Sequence, residues 1–385
     1  MSLKQTARIL STYAGDTSGV CSALFELGGM TVMHDASGCN STYNTHDEPR
    51  WYDMDSLVFI SALSETEAIL GDDQKLIDDT VRAVRDLSPA FVALAGTPIP
   101  MMTGVDLEAV ARQIEDECGI PAFGFDTDGM HSYTSGASKA FAALAKRIVR
   151  EPKKKTDRLS VNLLGVTPLD FSVTGTERTM KNLLEESGIG VVSSWAMSAS
   201  LEEIAECAKA CVNLVVSSSG LGAAAVMRAR FGIPFVVGTP CGGKMREEIV
   251  TALRQSAEDG ADRILPESDP DARCVVIGEG VTAASLAHAL RRETGIPTRA
   301  ICATDGFAEL HPMHVPQATD EDDIIPLLSG AETVIADPLY RPIVPDTARF
   351  IPLPHEGFSG RIWRRDIPDL ADGLTEWIDK NGLGR

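Results

Sequence analysis

The sequence predicts an α/β protein with three Rossmann-like open parallel-sheet domains in one chain. Two observations carry this. Short Val/Ile/Leu-rich runs alternate with stretches of helical periodicity, the pattern of parallel strands covered by helices. Two polar breaks, Glu151-Pro152-Lys153-Lys154-Lys155 and Pro266-Glu267-Ser268-Asp269-Pro270-Asp271, cut the alternation into three similar units. The expected domains are 1–155, 156–268 and 269–385, the last ending in a C-terminal helix.

In the first unit a loop enters a helix near Gly19, a short strand follows, and Cys39 sits on the next turn. Ser56–Ser61 reads as a strand. The helix after it, about Asp73 to Leu87, places Leu76, Ile77, Thr80, Val81 and Val84 at helical spacing. The strand Ala90–Ala95 ends in Gly96-Thr97-Pro98, then come a helix near 106–117, a strand near 121–125 and a helix near 137–149. The second unit opens with the strand Ser160–Gly165. Its helix, about Glu177 to Ser187, stops at Gly188. Strands at 191–195, 212–216 and 235–238 alternate with helices near 201–210 and 244–257. The third unit has strands at 273–278, 298–302 and 333–337, with helices near 283–293 and 370–380.

Composition bounds the function. The chain has 385 residues, 44% of them hydrophobic and 23% charged, which is enough for several cores. A net charge of −20 repels phosphate backbones and anionic lipid, so nucleic acid and membrane surfaces are excluded as partners. No apolar run approaches the roughly 20 residues that span a bilayer. The N-terminus lacks a basic start with a long apolar core, so a cytoplasmic protein is expected. Eight cysteines are too few for a disulfide scaffold.

Chemistry concentrates at the predicted strand ends. Glycine-bearing turns recur at Gly38-Cys39, Gly96-Thr97-Pro98, Gly165-Val166-Thr167, Ser217-Ser218-Ser219-Gly220 and Thr239-Pro240-Cys241-Gly242-Gly243. Five such turns in three units point to a cleft where backbone approaches a bulky group closely. Cys21 and Cys39 lie eighteen positions apart beside turns and a helix end, a layout that suits a metal cluster better than a disulfide. Gly278-Glu279-Gly280-Val281-Thr282-Ala283 has the spacing of a dinucleotide fingerprint, which makes a nicotinamide enzyme one reading. Cys207 and Cys211 stand four apart among alanines, a pattern of small-residue packing. There is no nucleophile elbow and no phosphate loop, which argues against an ordinary hydrolase or an NTPase.

Taken together, these features resemble component 1 of the nitrogenase superfamily, which includes nitrogenase molybdenum–iron protein subunits, their cofactor-assembly scaffolds and tetrapyrrole reductases. The likeness is carried by Tyr13-Ala14-Gly15 with Gly19-Val20, by Gly38-Cys39, by Pro98 through Gly104-Val105-Asp106, by Gly124-Phe125, by Leu164 to Gly243, and by Phe358-Ser359-Gly360. The resemblance implies an iron–sulfur cluster at a subunit interface, held by three cysteines of the first unit. Here only Cys39 matches. Ser11-Thr12 stands where the first would be, Thr97 where the third would be, and Cys21 is an extra thiol. Ser217 falls near the family's cofactor-anchoring cysteine. The histidine expected after Phe-Ser-Gly is absent, with Trp363 near its place. Hydroxyls bind such clusters much less well than thiolates, so this chain is not a nitrogen-fixing subunit.

The resemblance therefore implies a redox protein passing electrons from a nucleotide-dependent iron–sulfur reductase through an interfacial cluster to an unidentified substrate. Cys39 and Cys21 would be ligands of a 4Fe–4S cluster shared with a homologous component 1 subunit or a second copy, and Thr97, Ser217 and Gly220 would line the cofactor cleft. The alternative is a non-catalytic scaffold or binding subunit for a metallocofactor or tetrapyrrole.

Overall fold

The computed structural model describes residues 7–9, 11, 13–36, 43 and 47–384. Cys39, with Gly38 before it, and Thr12 lie outside the described residues. Among the described residues the strands form three sheets in which every pair is parallel.

The first sheet holds β1 (Met30–Met33), β2 (Leu57–Ile60), β3 (Val92–Ala95) and β4 (Ala122–Phe125) in the order β2-β1-β3-β4. The second holds β5 (Ser160–Val166), β6 (Gly190–Ala196), β7 (Val212–Val215), β8 (Phe235–Val237) and β9 (Arg263–Ile264), in the order β6-β5-β7-β8-β9. The third holds β10 (Cys274–Gly278), β11 (Thr298–Cys302), β12 (Thr333–Ala336) and β13 (Arg349–Pro352), ordered β11-β10-β12-β13. In each sheet the order reverses beside the strand that comes first in the chain, which opens a crevice at the strands' C-terminal ends. The central strands β1, β3, β5, β7 and β10 are buried at every residue, as continuous apolar runs require.

The units are not independent beads. One apolar core runs from Val20 and Phe91 of the first unit through Val161 and Trp195 to Val276 and Trp377. The break after residue 150 is also tied down rather than freely solvated. Lys155 Nζ donates to the carbonyls of Ala208 at 3.1 Å and Ala210 at 2.8 Å, and Lys153 pairs with Glu206.

Two helices make the closest approach in the first unit. Asp16–Leu24 and Tyr133–Arg147 cross at Gly19 and Gly136, where backbone meets backbone. A Cβ on Gly136 would stand 1.8 Å from the Asp16 carbonyl oxygen, and one on Gly19 would stand 2.0 Å from that of Tyr133. Asp16 is fully buried at the start of its helix, and its carboxylate accepts the Gly129 N–H at 2.7 Å.

Candidate binding site between the second and third sheets

A cavity of about 110 Å³ lies where the second and third sheets face each other. Its walls come from residues just past strand C-terminal ends, where an open α/β fold binds ligands. Asp170 and Phe171 follow β5, Thr239 to Cys241 follow β8, and Leu353 to His355 follow β13. Phe358 and the start of the helix Leu370–Lys380 close it. The lining is mostly hydrocarbon, and among the described residues no lysine or arginine reaches it.

Asp170 joins this wall to the other units. Its Oδ1 accepts the Tyr13 hydroxyl from the first unit, and its Oδ2 accepts the Thr167 hydroxyl at 2.8 Å and, more weakly, that of Ser219 at 3.4 Å. Glu279 of the third unit stands near enough to act on it electrostatically. Burial, with Glu279 adding to it, pushes the Asp170 carboxyl up to about 7. Three units thus meet on one carboxyl group that retains its proton far above the usual carboxylate range.

The pH consequence has a definite sign. An unfolded Asp170 would ionise near 3.8, whereas the folded one holds its proton to about 7. Its favourable contribution is complete below the unfolded value and is lost as pH rises through the folded one. The melting temperature of the native chain should therefore fall relative to Asp170→Asn between pH 5 and pH 8. A difference that stays constant over that range would show Asp170 ionised like a surface carboxylate.

His355 also lines the cavity, five positions before Gly360, and it is the histidine that sequence reasoning missed. Its Nδ1 accepts the Gly357 N–H at 3.1 Å, capping a short helix, and its Nε2 is buried with no hydrogen-bond partner. Burial pulls its pKa down to about 4, so the ring is neutral. With Nδ1 accepting, the proton resides on Nε2. Cys241 is buried on the same wall, its thiol pushed up to about 12 by burial and by Asp369. The bare ring nitrogen of His355 is thus engaged by a backbone N–H, and Cys241 is held as the thiol.

The remaining predicted site residues are placed as follows. Ser217 is fully buried; its hydroxyl donates to the Gly165 carbonyl at 2.8 Å and pairs with Ser219 at 2.5 Å. Gly220 lets its turn sit against β5, since a Cβ there would meet the Leu164 oxygen at 2.7 Å. These two adjoin the Asp170 network without lining the cavity. Thr97 belongs to the first unit, where its hydroxyl donates to the His34 carbonyl at 2.9 Å. His34 in turn has Nδ1 2.9 Å from the Ser61 hydroxyl.

Cys21 lies within the helix Asp16–Leu24, sealed by Phe25, Met33 and Tyr43. Burial and then the nearby Glu48 and Asp47 drive its pKa upward, which stabilises the thiol over the thiolate. This setting does not fit a cluster ligand, which must be a thiolate. Cys39 lies outside the described residues, and among those described no group of three or more His, Cys, Asp or Glu side chains is placed to hold a metal ion.

The fingerprint loop in the third unit is filled from within. The carboxylate of Glu279 caps its own helix, accepting the N–H groups of Val281 at 3.2 Å and Thr282 at 3.0 Å. It also accepts the Ser218 N–H at 3.0 Å from the second unit. The helix start that would receive a pyrophosphate thus already carries an anion, which argues against the nicotinamide reading.

Comparisons with known proteins agree with this architecture. The sequence model for nitrogenase component 1 type oxidoreductases matches residues 18–326, and the chain belongs to that family. The nitrogenase iron-molybdenum cofactor biosynthesis protein NifE of Klebsiella pneumoniae is 28% identical over 241 residues, covering 59% of this chain and 51% of that protein. NifE of Rippkaea orientalis is 28% identical over 284 residues, covering 71% and 57%. The nitrogenase molybdenum-iron protein alpha chain of Clostridium pasteurianum is 26% identical over 204 residues, covering 52% and 37%. The chain thus spans about half the length of these relatives or less. A solved structure of nitrogenase Cp1 superposes with a TM-score of 0.68 at 15% identity, covering 100% of this chain and 94% of that one, a likeness of fold. No helix among the described residues is long and apolar enough to cross a membrane.

Proposed function

We propose that this chain is a ligand-binding subunit of a nitrogenase component 1-type assembly in the cytoplasm, handling a cofactor or cofactor precursor rather than reducing a substrate alone. The observation that carries this reading is the apolar cavity at the strand ends of the second and third sheets, walled by Asp170 and His355. The similarity to cofactor biosynthesis proteins supports it. Ser217 and Gly220 then shape the second unit beside the site instead of touching the ligand, and Thr97 ties together strand ends of the first unit. The partner is a homologous subunit or a second copy. An exposed apolar face on the first unit supports such pairing: the touching helices Glu65–Leu70 and Pro98–Thr103 leave Ile69, Leu70, Met101 and Met102 exposed.

A second reading, the electron relay fed by a nucleotide-dependent iron–sulfur reductase, rests on Cys39 in the Gly38-Cys39 pair of the sequence. One experiment separates the two: oxygen-free purification with iron, sulfide and native mass measured for the wild type and Cys39→Ser. The binding reading expects a paired chain whose iron content is low and unchanged by the substitution. About four irons per pair, lost in Cys39→Ser, would replace it with the relay.

A further inference from the structure

We propose that the turn Gly360–Asp366 is a docking surface for a protein partner that presents a short acidic segment carrying an apolar side chain. The turn departs in charge from the rest of the chain. It holds three arginines and one aspartate, where the whole sequence carries a net charge of −20. It is also a seven-residue 3-10 helix, longer than the three or four residues such helices usually run, and it buries none of its residues.

Arg364 anchors the turn from behind. Its Nη2 donates to Glu356 Oε1 at 2.6 Å and its Nε donates to Oε2 at 2.9 Å. Glu356 is buried and accepts the Ser172 hydroxyl of the second unit at 2.8 Å, so the anchor is fixed on the far side as well. Arg361 and Arg365 remain exposed, and among the described residues neither enters a salt bridge. Between them Ile362 is 81% exposed and Trp363 41%. Trp363, near the place of the histidine that the resemblance implies, does not line the cavity.

Single apolar residues on a surface call for no explanation. An adjacent isoleucine and tryptophan rimmed by two arginines have instead the apolar centre and polar rim of a contact surface, built from residue types that dominate binding energy. Charge complementarity names the occupant. At physiological salt, charges more than about 8 Å apart are largely screened. A short acidic segment therefore feels Arg361 and Arg365 while the chain's many carboxylates elsewhere are screened from it. A nucleic acid duplex or an anionic bilayer spreads past the turn and meets those carboxylates directly.

Phe358 and Ile367, which bracket the turn, both line the cavity between the second and third sheets, so a partner seated here stands at the edge of that cavity. The docking itself does not depend on what the cavity holds.

The test titrates two synthetic peptides, Asp-Glu-Leu-Phe-Glu-Asp and its neutral counterpart Asn-Gln-Leu-Phe-Gln-Asn, into the full chain, read by saturation-transfer nuclear magnetic resonance at about 50 mM salt. The acidic peptide should bind about fivefold tighter, despite the chain's own negative charge. Arg361→Glu combined with Arg365→Glu should reverse that preference, and Trp363→Ala should weaken both peptides about tenfold. Because these positions are exposed, the variants should melt within about 2 °C of the parent, which certifies the fold. Equal affinity for the two peptides, no binding of either, or an acidic preference that survives the double reversal would overturn the inference. So would retention of the chain on phosphatidylserine vesicles that the double reversal abolishes. None of these results touches the binding reading, since neither arginine lines the cavity.

Discussion

Arg50→Met should destabilise the chain by about 3–5 kcal/mol, the cost of leaving a buried charge without its partner. Arg50 is 4% exposed and Glu48 is 2% exposed, so neither is relieved by solvent. The guanidinium contacts Glu48 Oε1 at 2.6 Å and Oε2 at 2.8 Å, and Glu26 at 2.8 Å. It also donates to the Ser22 carbonyl at 2.8 Å and to that of Ala196 at 3.1 Å, and lies over the Phe25 ring at 4.7 Å. Methionine would fill much of the volume yet strand two carboxylates and two carbonyls at once. Because Ala196 ends β6, the same substitution loosens the first unit from the second. The denaturation midpoint of the purified chain measures this, with Arg50→Lys expected to recover part of the loss. A shift below about 1 kcal/mol would mean that solvent reaches these groups.

Much of the architecture was legible before any coordinates, because parallel strands buried on both faces announce themselves as apolar runs. The strand at 298–302 and the helix at 370–380 occupy the expected residues. The helix expected over 201–210 instead ends at Glu206 and tightens into a 3-10 turn, where Asn162 Nδ2 donates to the Cys207 carbonyl at 3.0 Å. Leu221–Phe231 was not foreseen as a helix. Gly222 sits against Ser138 of the helix Tyr133–Arg147 and Ala223 and Ala224 are buried, while Ala225 is exposed, so small residues serve both sides and no apolar stripe marks a face. Glu65–Leu70 buries no residue, and its signals are the Ser64–Glu67 capping box and the glycine stop at Gly71.

The site was much less legible. Nothing in Thr167-Pro168-Leu169-Asp170 tells that its carboxyl will meet Tyr13 from far upstream, since that encounter is made by the packing of whole units. His355 was overlooked because the expectation lay after Phe358-Ser359-Gly360, whereas the histidine in the cavity precedes it. Cys21, attractive by its spacing, proved to sit inside its helix facing the core.

Gly136→Ala is the second large effect. Alanine ordinarily favours a helix, but here its methyl would overlap the Asp16 carbonyl oxygen. The obstacle is backbone, which cannot swing aside as a side chain can. Relief requires the helices Asp16–Leu24 and Tyr133–Arg147 to separate, opening the core and loosening the Asp16 carboxylate from the Gly129 N–H. Overpacking of this kind costs about 1–3 kcal/mol and sometimes more. We expect a clearly lowered melting temperature, or failure to accumulate as soluble protein. Gly19→Ala should behave alike from the opposite side of the crossing. A variant melting within about 2 °C of the parent would show that the helices can part at little cost.

The self-capped turn at Glu279 bears on how glycine patterns are read in general. A search for Gly-x-Gly-x-x-Ala would count this chain among nucleotide carriers, although the pattern is silent about the residue between its first two glycines. When that residue is an acid whose carboxylate folds back onto the helix start, the vacancy that phosphate needs is gone. The identity of that single intervening residue is thus a filter that separates open loops from plugged ones.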